Sequence, residues 1–200
     1  MNTWSSDVRQ RTPSWYLSAP HVGHDIEDVL SCLDSIGFQP RTLMDIGCGP
    51  GRLVMELARK FPCLAAVGYD ADQIVLDFAK ELVRSKGLEH RCEFIARDVA
   101  RDPPSRRSEL TTFLAVRGLY PNGNRDLIRA MKRLTLDDGL SVVDGIWAAG
   151  SGVADQCIGE FSDALIEMGG RIVGHKERHF TLREGGRGVS SLWIVNFAKE

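Results

Sequence analysis

The sequence predicts an α/β protein in which a mostly parallel sheet carries helices on both faces. Three observations support this prediction. Apolar runs of strand length alternate with amphipathic helical segments through five strands, a glycine-rich turn follows the first strand, and a short turn at residues 184–188 joins the last two strands. Strand–helix alternation favours parallel pairing with right-handed crossovers, whereas so short a final turn requires antiparallel partners.

The predicted elements follow one another with short connections. In chain order they are a helix over residues 25–36, a strand over 43–47, a helix over 53–60, a strand over 64–70, a helix over 73–86, strands over 91–99 and 111–116, a helix over 125–134, a strand over 140–147, a helix over 153–168, and strands over 171–182 and 191–198. We expect one domain over residues 1–200, with an N-terminal arm or lid at 1–24 and the core at 25–200.

Composition limits the classes of function. A net charge of −2 gives no overall basic field, which argues against a general nucleic-acid surface. The polar N-terminus lacks the apolar core of a signal peptide, and no run approaches the roughly 20 apolar residues of a membrane span. Five scattered cysteines show no paired metal spacing and no disulfide framework. We therefore expect a cytoplasmic protein with reduced thiols, no membrane partner and no bound metal.

The stretch TLMDIGCGPGR, residues 42–52, is the most informative part of the sequence. Asp45 precedes glycines at Gly47, Gly49 and Gly51. Glycines at alternate positions allow positive φ angles and a close approach of a ligand to backbone N–H groups. Dinucleotide turns have the spacing G-x-G-x-x-G, whereas this turn is D-x-G-x-G-x-G. The added carboxylate favours a cationic ligand over a diphosphate, because opposite charges attract.

This segment resembles the first motif of the class I S-adenosylmethionine-dependent methyltransferases. The similarity extends from about residue 26 to the C-terminus. It implies a Rossmann-like methyltransferase fold with a seven-stranded sheet in the order 3-2-1-4-5-7-6 and an antiparallel C-terminal hairpin. It also implies S-adenosylmethionine as the cofactor and S-adenosylhomocysteine as the product.

The resemblance assigns cofactor contacts to the ends of the first strands. The glycine turn would hold the methionine portion, Asp70 the ribose hydroxyls, and Asp98 with the backbone of Val99 the adenine, beside a small wall from Ala71. A carboxylate suits a vicinal diol because it accepts two hydrogen bonds side by side. Each acid alone can instead cap a helix, and Asp45 can instead hold the turn. The predicted cofactor-binding residues are Asp45, Gly47, Cys48, Gly49, Gly51, Asp70, Ala71, Asp98, Val99 and Val116.

Catalytic residues are less well marked. Methyl transfer is an in-line displacement that needs alignment and exclusion of water, so a general base is optional. The candidates are His21 as a base near neutral pH and Tyr120 as a contact to the sulfonium. A surface histidine and a packing aromatic residue are the alternatives. Asp144 can act as a base, a ligand or a cap.

The acceptor is predicted mainly from missing motifs. Residues 115–124 lack the Asn/Asp-Pro-Pro-aromatic motif of amino-methylating nucleic-acid enzymes, and Leu110, Thr111 and Thr112 replace an acid frequent in the family. Arg101, Arg106 and Arg107 are interpreted as a solvated loop rather than an RNA track. We therefore expect transfer to an O or N atom of a small molecule, and no DNA. An RNA or protein acceptor, or a non-catalytic cofactor-binding subunit, are the alternatives; the oligomeric state stays open, a homodimer included.

Overall fold

The computed structural model describes residues 20–114, 124–148, 152–181 and 187–198. Its elements are α1 (Pro20–Ser35), β1 (Thr42–Ile46), α2 (Arg52–Lys60), β2 (Ala65–Asp70), α3 (Gln73–Ser85), β3 (Cys92–Ala96), β4 (Ser108–Phe113), α4 (Asn124–Leu134), β5 (Thr135–Ala148), α5 (Val153–Glu167), β6 (Arg171–Thr181) and β7 (Arg187–Asn196). One seven-stranded sheet has the order β3-β2-β1-β4-β5-β7-β6. The predicted strand order is confirmed.

Strand directions also match the prediction. The pairs β2–β3, β1–β2, β1–β4 and β4–β5 are parallel, whereas β7 is antiparallel to both β5 and β6. Because parallel strands point the same way, the ends of β1 to β4 meet at one side of the sheet, which we call the carboxyl edge. The predicted ligand-binding turn and the strand-ending acids all lie near this edge.

Two apolar clusters fix the helices to the two faces of the sheet. Buried residues of α1, α2 and α3, such as Leu33, Leu57 and Leu76, pack on one face. Residues of α4 and α5 pack on the other, where Phe161 meets Trp193 edge to face with ring centroids 4.8 Å apart. The parallel part of the sheet is thus buried on both sides, as expected for parallel strands.

Several element boundaries differ from the prediction. β4 spans Ser108–Phe113 rather than residues 111–116, because Glu109 N donates to Thr42 Oγ1 at 2.9 Å and the Glu109 carboxylate accepts from Arg41. These contacts join residues far apart in the sequence, so a local pattern does not reveal them. β5 likewise begins directly after α4, and α1 begins five residues before the predicted start.

Helix α1 is held against β6 by a buried charge. Asp28 is only 4% exposed and accepts hydrogen bonds from Arg178, whose Nε lies 2.5 Å from Asp28 Oδ2. Lys176 forms a second ion pair with the same carboxylate. Two cations from one strand therefore fix the position of α1 on the C-terminal hairpin.

Candidate cofactor site

The glycine turn, residues 47–51, is anchored on the end of β2. The Tyr69 carbonyl accepts hydrogen bonds from Gly47 N at 2.7 Å and from Cys48 N at 3.0 Å. The φ angles of Gly47, Gly49 and Gly51 are 70°, 51° and 73°. Residues with a side chain rarely adopt such angles, so the turn requires glycine at these positions.

One side of this turn is packed and the other is open. A Cβ added to Gly51 would lie 2.6 Å from ring carbons of Phe94, and a Cβ on Gly68 would lie 2.6 Å from Cys48 Sγ. Among the described residues, no atom would lie within 4 Å of a Cβ added to Gly49. The turn therefore packs on β3 through Gly51 and on β2 through Cys48, and it leaves space for a ligand at Gly49.

Asp70 is oriented from both sides at the end of β2. Its Oδ2 accepts from Gly49 N and its Oδ1 from Asp72 N, both at 2.9 Å. Burial raises the pKa of Asp70, while the bonds from the Asp72 and Gly49 amides oppose that rise. A carboxylate has about four acceptor positions, so each oxygen keeps capacity for one further donor. This arrangement can accept two neighbouring hydroxyl groups.

The helix cap beside this acid is Asp72, not Asp70. Asp72 Oδ1 accepts from Ile74 N at 2.9 Å and from Val75 N at 3.4 Å, which satisfies amides at the start of α3. The alternative in which Asp70 serves only as a helix N-cap is therefore wrong.

Asp98 mainly stabilises its own loop. Its Oδ1 accepts from Ala100 N at 3.2 Å and Arg101 N at 3.3 Å, and the side chain is exposed. The neighbouring Val99 is 6% exposed and packs in the cluster of α4 and α5. In the described part of the chain no hydrogen bond engages the Val99 N–H, which can therefore donate to a ligand.

Asp45 is a buried acid paired with a hydroxyl. It is 4% exposed, and Thr112, its register partner on β4, donates from Oγ1 to Asp45 Oδ1 at 2.5 Å. Burial raises the Asp45 pKa to about 7; the Thr112 bond opposes this rise and the charge of Asp70 adds to it. The acid therefore changes charge near neutral pH beneath the glycine turn.

Two further predicted cofactor residues, Ala71 and Cys48, differ in the exposure of their side chains. Ala71 is exposed next to Asp70, where a planar ligand group can contact it. Cys48 is 8% exposed and its side chain packs against Gly68, while burial raises its thiol pKa well above the ordinary value. The Cys48 thiol also donates to the Gly49 carbonyl at 3.6 Å, so the side chain helps to hold the turn from below.

Other candidates from the sequence stay predictions. Val116 and Tyr120 lie outside the described residues, and so does the side chain of His21, whose backbone belongs to α1. Asp144 lies on β5 opposite Leu192 and is 2% exposed.

Among the described residues, no group of three potential ligands is placed to hold a metal ion. Their helices include none with the length and apolarity of a bilayer span.

Three residues that the sequence analysis did not assign to the cofactor site shape it. Tyr69 anchors the turn, Phe94 lies opposite Gly68 in the register of β2 and β3, and Thr112 pairs with Asp45. Strand register decides all three contacts, and register depends on the fold as a whole. Local sequence carries no signal for them.

Part of this chain is similar in sequence to known methyltransferases. The profile of a family described as methyltransferase domain matches residues 43–139. Trans-aconitate 2-methyltransferase of Mycolicibacterium gilvum is 34% identical over 70 residues, 34% of this chain and 27% of that protein. The rRNA N(6)-adenosine-methyltransferase metl-5 of Caenorhabditis elegans is 32% identical over 72 residues, 36% of this chain and 33% of that protein.

Structural similarity extends over more of the chain. The N-methyltransferase NodS from Bradyrhizobium japonicum, solved with S-adenosylhomocysteine, shares 16% identity at a TM-score of 0.71, covering 98% of this chain and 99% of that one. The curated relatives above match over no more than about a third of their own length. The matched methyltransferase domain and the strand order are both consistent with the class I S-adenosylmethionine-dependent methyltransferase family that the sequence resembles.

Proposed function

We propose that this protein transfers a methyl group from S-adenosylmethionine to an O or N atom of a small-molecule acceptor. The observation that carries the proposal is the bond from Gly49 N to Asp70 Oδ2, at 2.9 Å. It places a carboxylate with spare acceptor capacity beside the open side of the glycine turn. The matched methyltransferase domain and the S-adenosylhomocysteine bound to NodS support the choice of cofactor.

The described residues fit that cofactor. The glycine turn would hold the methionine portion, and Asp70 would accept hydrogen bonds from the ribose hydroxyls. The Val99 N–H and the Asp98 carboxylate would contact the edge of the adenine, with Ala71 against its face. Asp45 lies beneath the turn, where its ionised form would attract a cationic group.

When bound, the cofactor supplies a methyl group activated by its sulfonium. The chain itself then needs to hold both reactants in line and to keep water out. Asp70 and the glycine turn would fix the orientation of the cofactor. Beyond the described site, we propose His21 as a general base and Tyr120 as a contact near the transferred methyl.

A small acceptor is favoured by charge and by one relative. The net charge of −2 does not suit a nucleic-acid surface, and trans-aconitate 2-methyltransferase is named for a small organic acid. The rRNA methyltransferase relative makes RNA the alternative to test.

The experiment measures transfer of a labelled methyl group. Purified protein is incubated with methyl-tritiated S-adenosylmethionine and separate pools of small organic acids, small amines and alcohols, RNA, and protein extract. The proposal expects label in a small-molecule pool and formation of S-adenosylhomocysteine, both abolished in Asp70→Ala. Label in RNA or protein would contradict the small acceptor, and cofactor binding with no transfer to any pool would indicate a non-catalytic subunit.

A further inference from the structure

Arg106 connects the loop after β3 to the interior of the sheet. We call residues 97–106 the adenine loop, since they carry Asp98 and Val99. Arg106 Nε donates to the Tyr69 hydroxyl at 2.8 Å, and its guanidinium lies 5.5 Å from the centroid of the Tyr69 ring. Tyr69 is 2% exposed, so Arg106 supplies the partner that a buried phenol requires.

The Arg106 side chain is held at a second point. Its Nη2 lies 3.3 Å from Glu93 Oε2 on β3. Two acceptors on neighbouring strands therefore fix the direction of the guanidinium, and a charge-assisted hydrogen bond is stronger than a neutral one. Arg106 lies in the exposed loop that the sequence predicts, and its guanidinium is nevertheless held by two specific partners.

Tyr69 and Asp70 together hold both predicted cofactor segments. The Tyr69 carbonyl accepts from the Gly47 and Cys48 amides, and the Asp70 carbonyl accepts from Arg97 N at 2.8 Å, at the start of the adenine loop. The Tyr69 hydroxyl holds the other end of that loop through Arg106. The spacing between the glycine turn and the adenine loop thus depends on these two residues.

Arg107, the next residue, has different partners. Its Nε donates to the Thr135 carbonyl at 2.8 Å and its Nη2 lies 2.5 Å from Asp137 Oδ1. These contacts join the start of β4 to the start of β5, away from Tyr69. Arg107 is thus a matched control for Arg106, because it has the same side chain and its guanidinium is likewise held by two acceptors.

We propose that Arg106 is a positioning residue for the adenine of the cofactor, acting through the Tyr69 hydroxyl. The contact fixes the adenine loop against β2, so that Asp98 and the Val99 amide keep a constant distance from Asp70 and the glycine turn. This inference rests on the proposed function, because it takes the adenine loop as the adenine contact.

The test measures discrimination between adenine and hypoxanthine. Isothermal titration gives the dissociation constants of S-adenosylhomocysteine and of S-inosylhomocysteine, in which an oxygen replaces the exocyclic amine. The proteins are wild type, Tyr69→Phe, Arg106→Ala, Arg106→Lys and the control Arg107→Ala, each checked for its fold by circular dichroism. Tyr69→Phe removes one buried hydroxyl and keeps the ring, so it remains informative if Arg106→Ala fails to fold.

We expect wild type to prefer S-adenosylhomocysteine and this preference to fall about tenfold in Tyr69→Phe and Arg106→Ala. Arg106→Lys should restore part of it, and Arg107→Ala should keep the wild-type ratio. General destabilisation would weaken both ligands alike and leave the ratio unchanged. An unchanged ratio in Tyr69→Phe and Arg106→Ala, or no preference in wild type, overturns the inference. If wild type binds neither ligand, the proposed function fails instead.

Discussion

Gly49 and Asp70 are 21 residues apart in the sequence, yet Gly49 N donates a hydrogen bond to Asp70 Oδ2 at 2.9 Å. The bond joins the turn after β1 to the end of β2. Because Asp72 N donates to the other oxygen of Asp70, the carboxylate is oriented before any ligand arrives. Preorganised acceptors of this kind lower the entropic cost of binding.

Asp70→Asn should abolish most of the cofactor affinity. An amide offers one acceptor oxygen, so its NH₂ group would face either a backbone donor or a ribose hydroxyl. We expect the dissociation constant of S-adenosylhomocysteine, measured by isothermal titration, to rise by about a hundredfold. Asp72→Asn is the matched control, since asparagine caps helices as well as aspartate does. Equal affinities in wild type and Asp70→Asn would show that Asp70 does not hold the ribose.

A comparison of Gly49→Ala with Gly37→Ala should separate an effect on ligand binding from an effect on stability. Gly49 and Gly37 both have positive φ angles, 51° and 66°, and within the part of the chain that the structure describes no atom would lie within 4 Å of a Cβ on either. Each alanine substitution should therefore lower the free energy of unfolding by about 1–2 kcal/mol, measured in urea. Only Gly49→Ala should weaken S-adenosylhomocysteine binding, because its methyl group would occupy ligand space. Loss of binding in Gly37→Ala as well would point to a general structural effect.

The Asp45 pKa of about 7 predicts a pH dependence of stability. The folded state keeps a proton on Asp45 above the ordinary pKa near 3.8, so it binds more protons than the unfolded state between about pH 4 and pH 7. The stabilising contribution is present at low pH and is lost as pH rises through 7. The free energy of unfolding should therefore fall by up to about 1.4 kcal/mol per pH unit in this window.

Asp45→Asn removes this titration and keeps an acceptor for Thr112. Urea unfolding of both proteins from pH 5 to pH 8 should give a difference in stability that changes with pH in the stated direction. Parallel pH profiles for wild type and Asp45→Asn would contradict the assignment of the buried titrating group.

Asp28→Asn should destabilise the fold more than a change at a surface acid of the same helix. The side chain of Asp28 is 6% exposed and faces both Lys176 and Arg178, so its loss leaves two cations without their counter-ion. Because these cations are about one-third exposed, we expect a cost of about 2–3 kcal/mol in urea unfolding. Asp34, 60% exposed and paired with Lys60, provides the control, for which we expect less than about 1 kcal/mol. Equal losses in the free energy of unfolding for the Asp28 and Asp34 variants would contradict the conclusion that the buried ion pairs fix α1 on β6.

Much of the fold could be predicted because its signals are local. Hydrophobic periodicity predicted the alternation of strands and helices and the final hairpin, and the resemblance to the methyltransferase family implied the strand order that the structure has. Residues whose contacts depend on strand register, such as Thr112 opposite Asp45, had no local signal. Asp72 could have been assigned from the sequence, since an aspartate directly before a helix is a common N-cap.

The residues that face the acceptor are harder to predict from the sequence, for a different reason. Methyl transfer requires alignment rather than one residue type, so no spacing marks the residues that face the acceptor. His21 and Tyr120 therefore stay predictions, and labelled methyl transfer by His21→Ala and Tyr120→Phe proteins would measure their contributions. The cofactor-binding residues are easier to predict, because few other residues can replace the glycines and acids there.

A crystal structure with S-adenosylhomocysteine bound tests the central claim most directly. The predicted result is both ribose hydroxyls within hydrogen-bond distance of the Asp70 carboxylate, with the homocysteine portion along the glycine turn at Gly49. A ligand bound at another part of the sheet, or in this cleft without contact to Asp70, would contradict it.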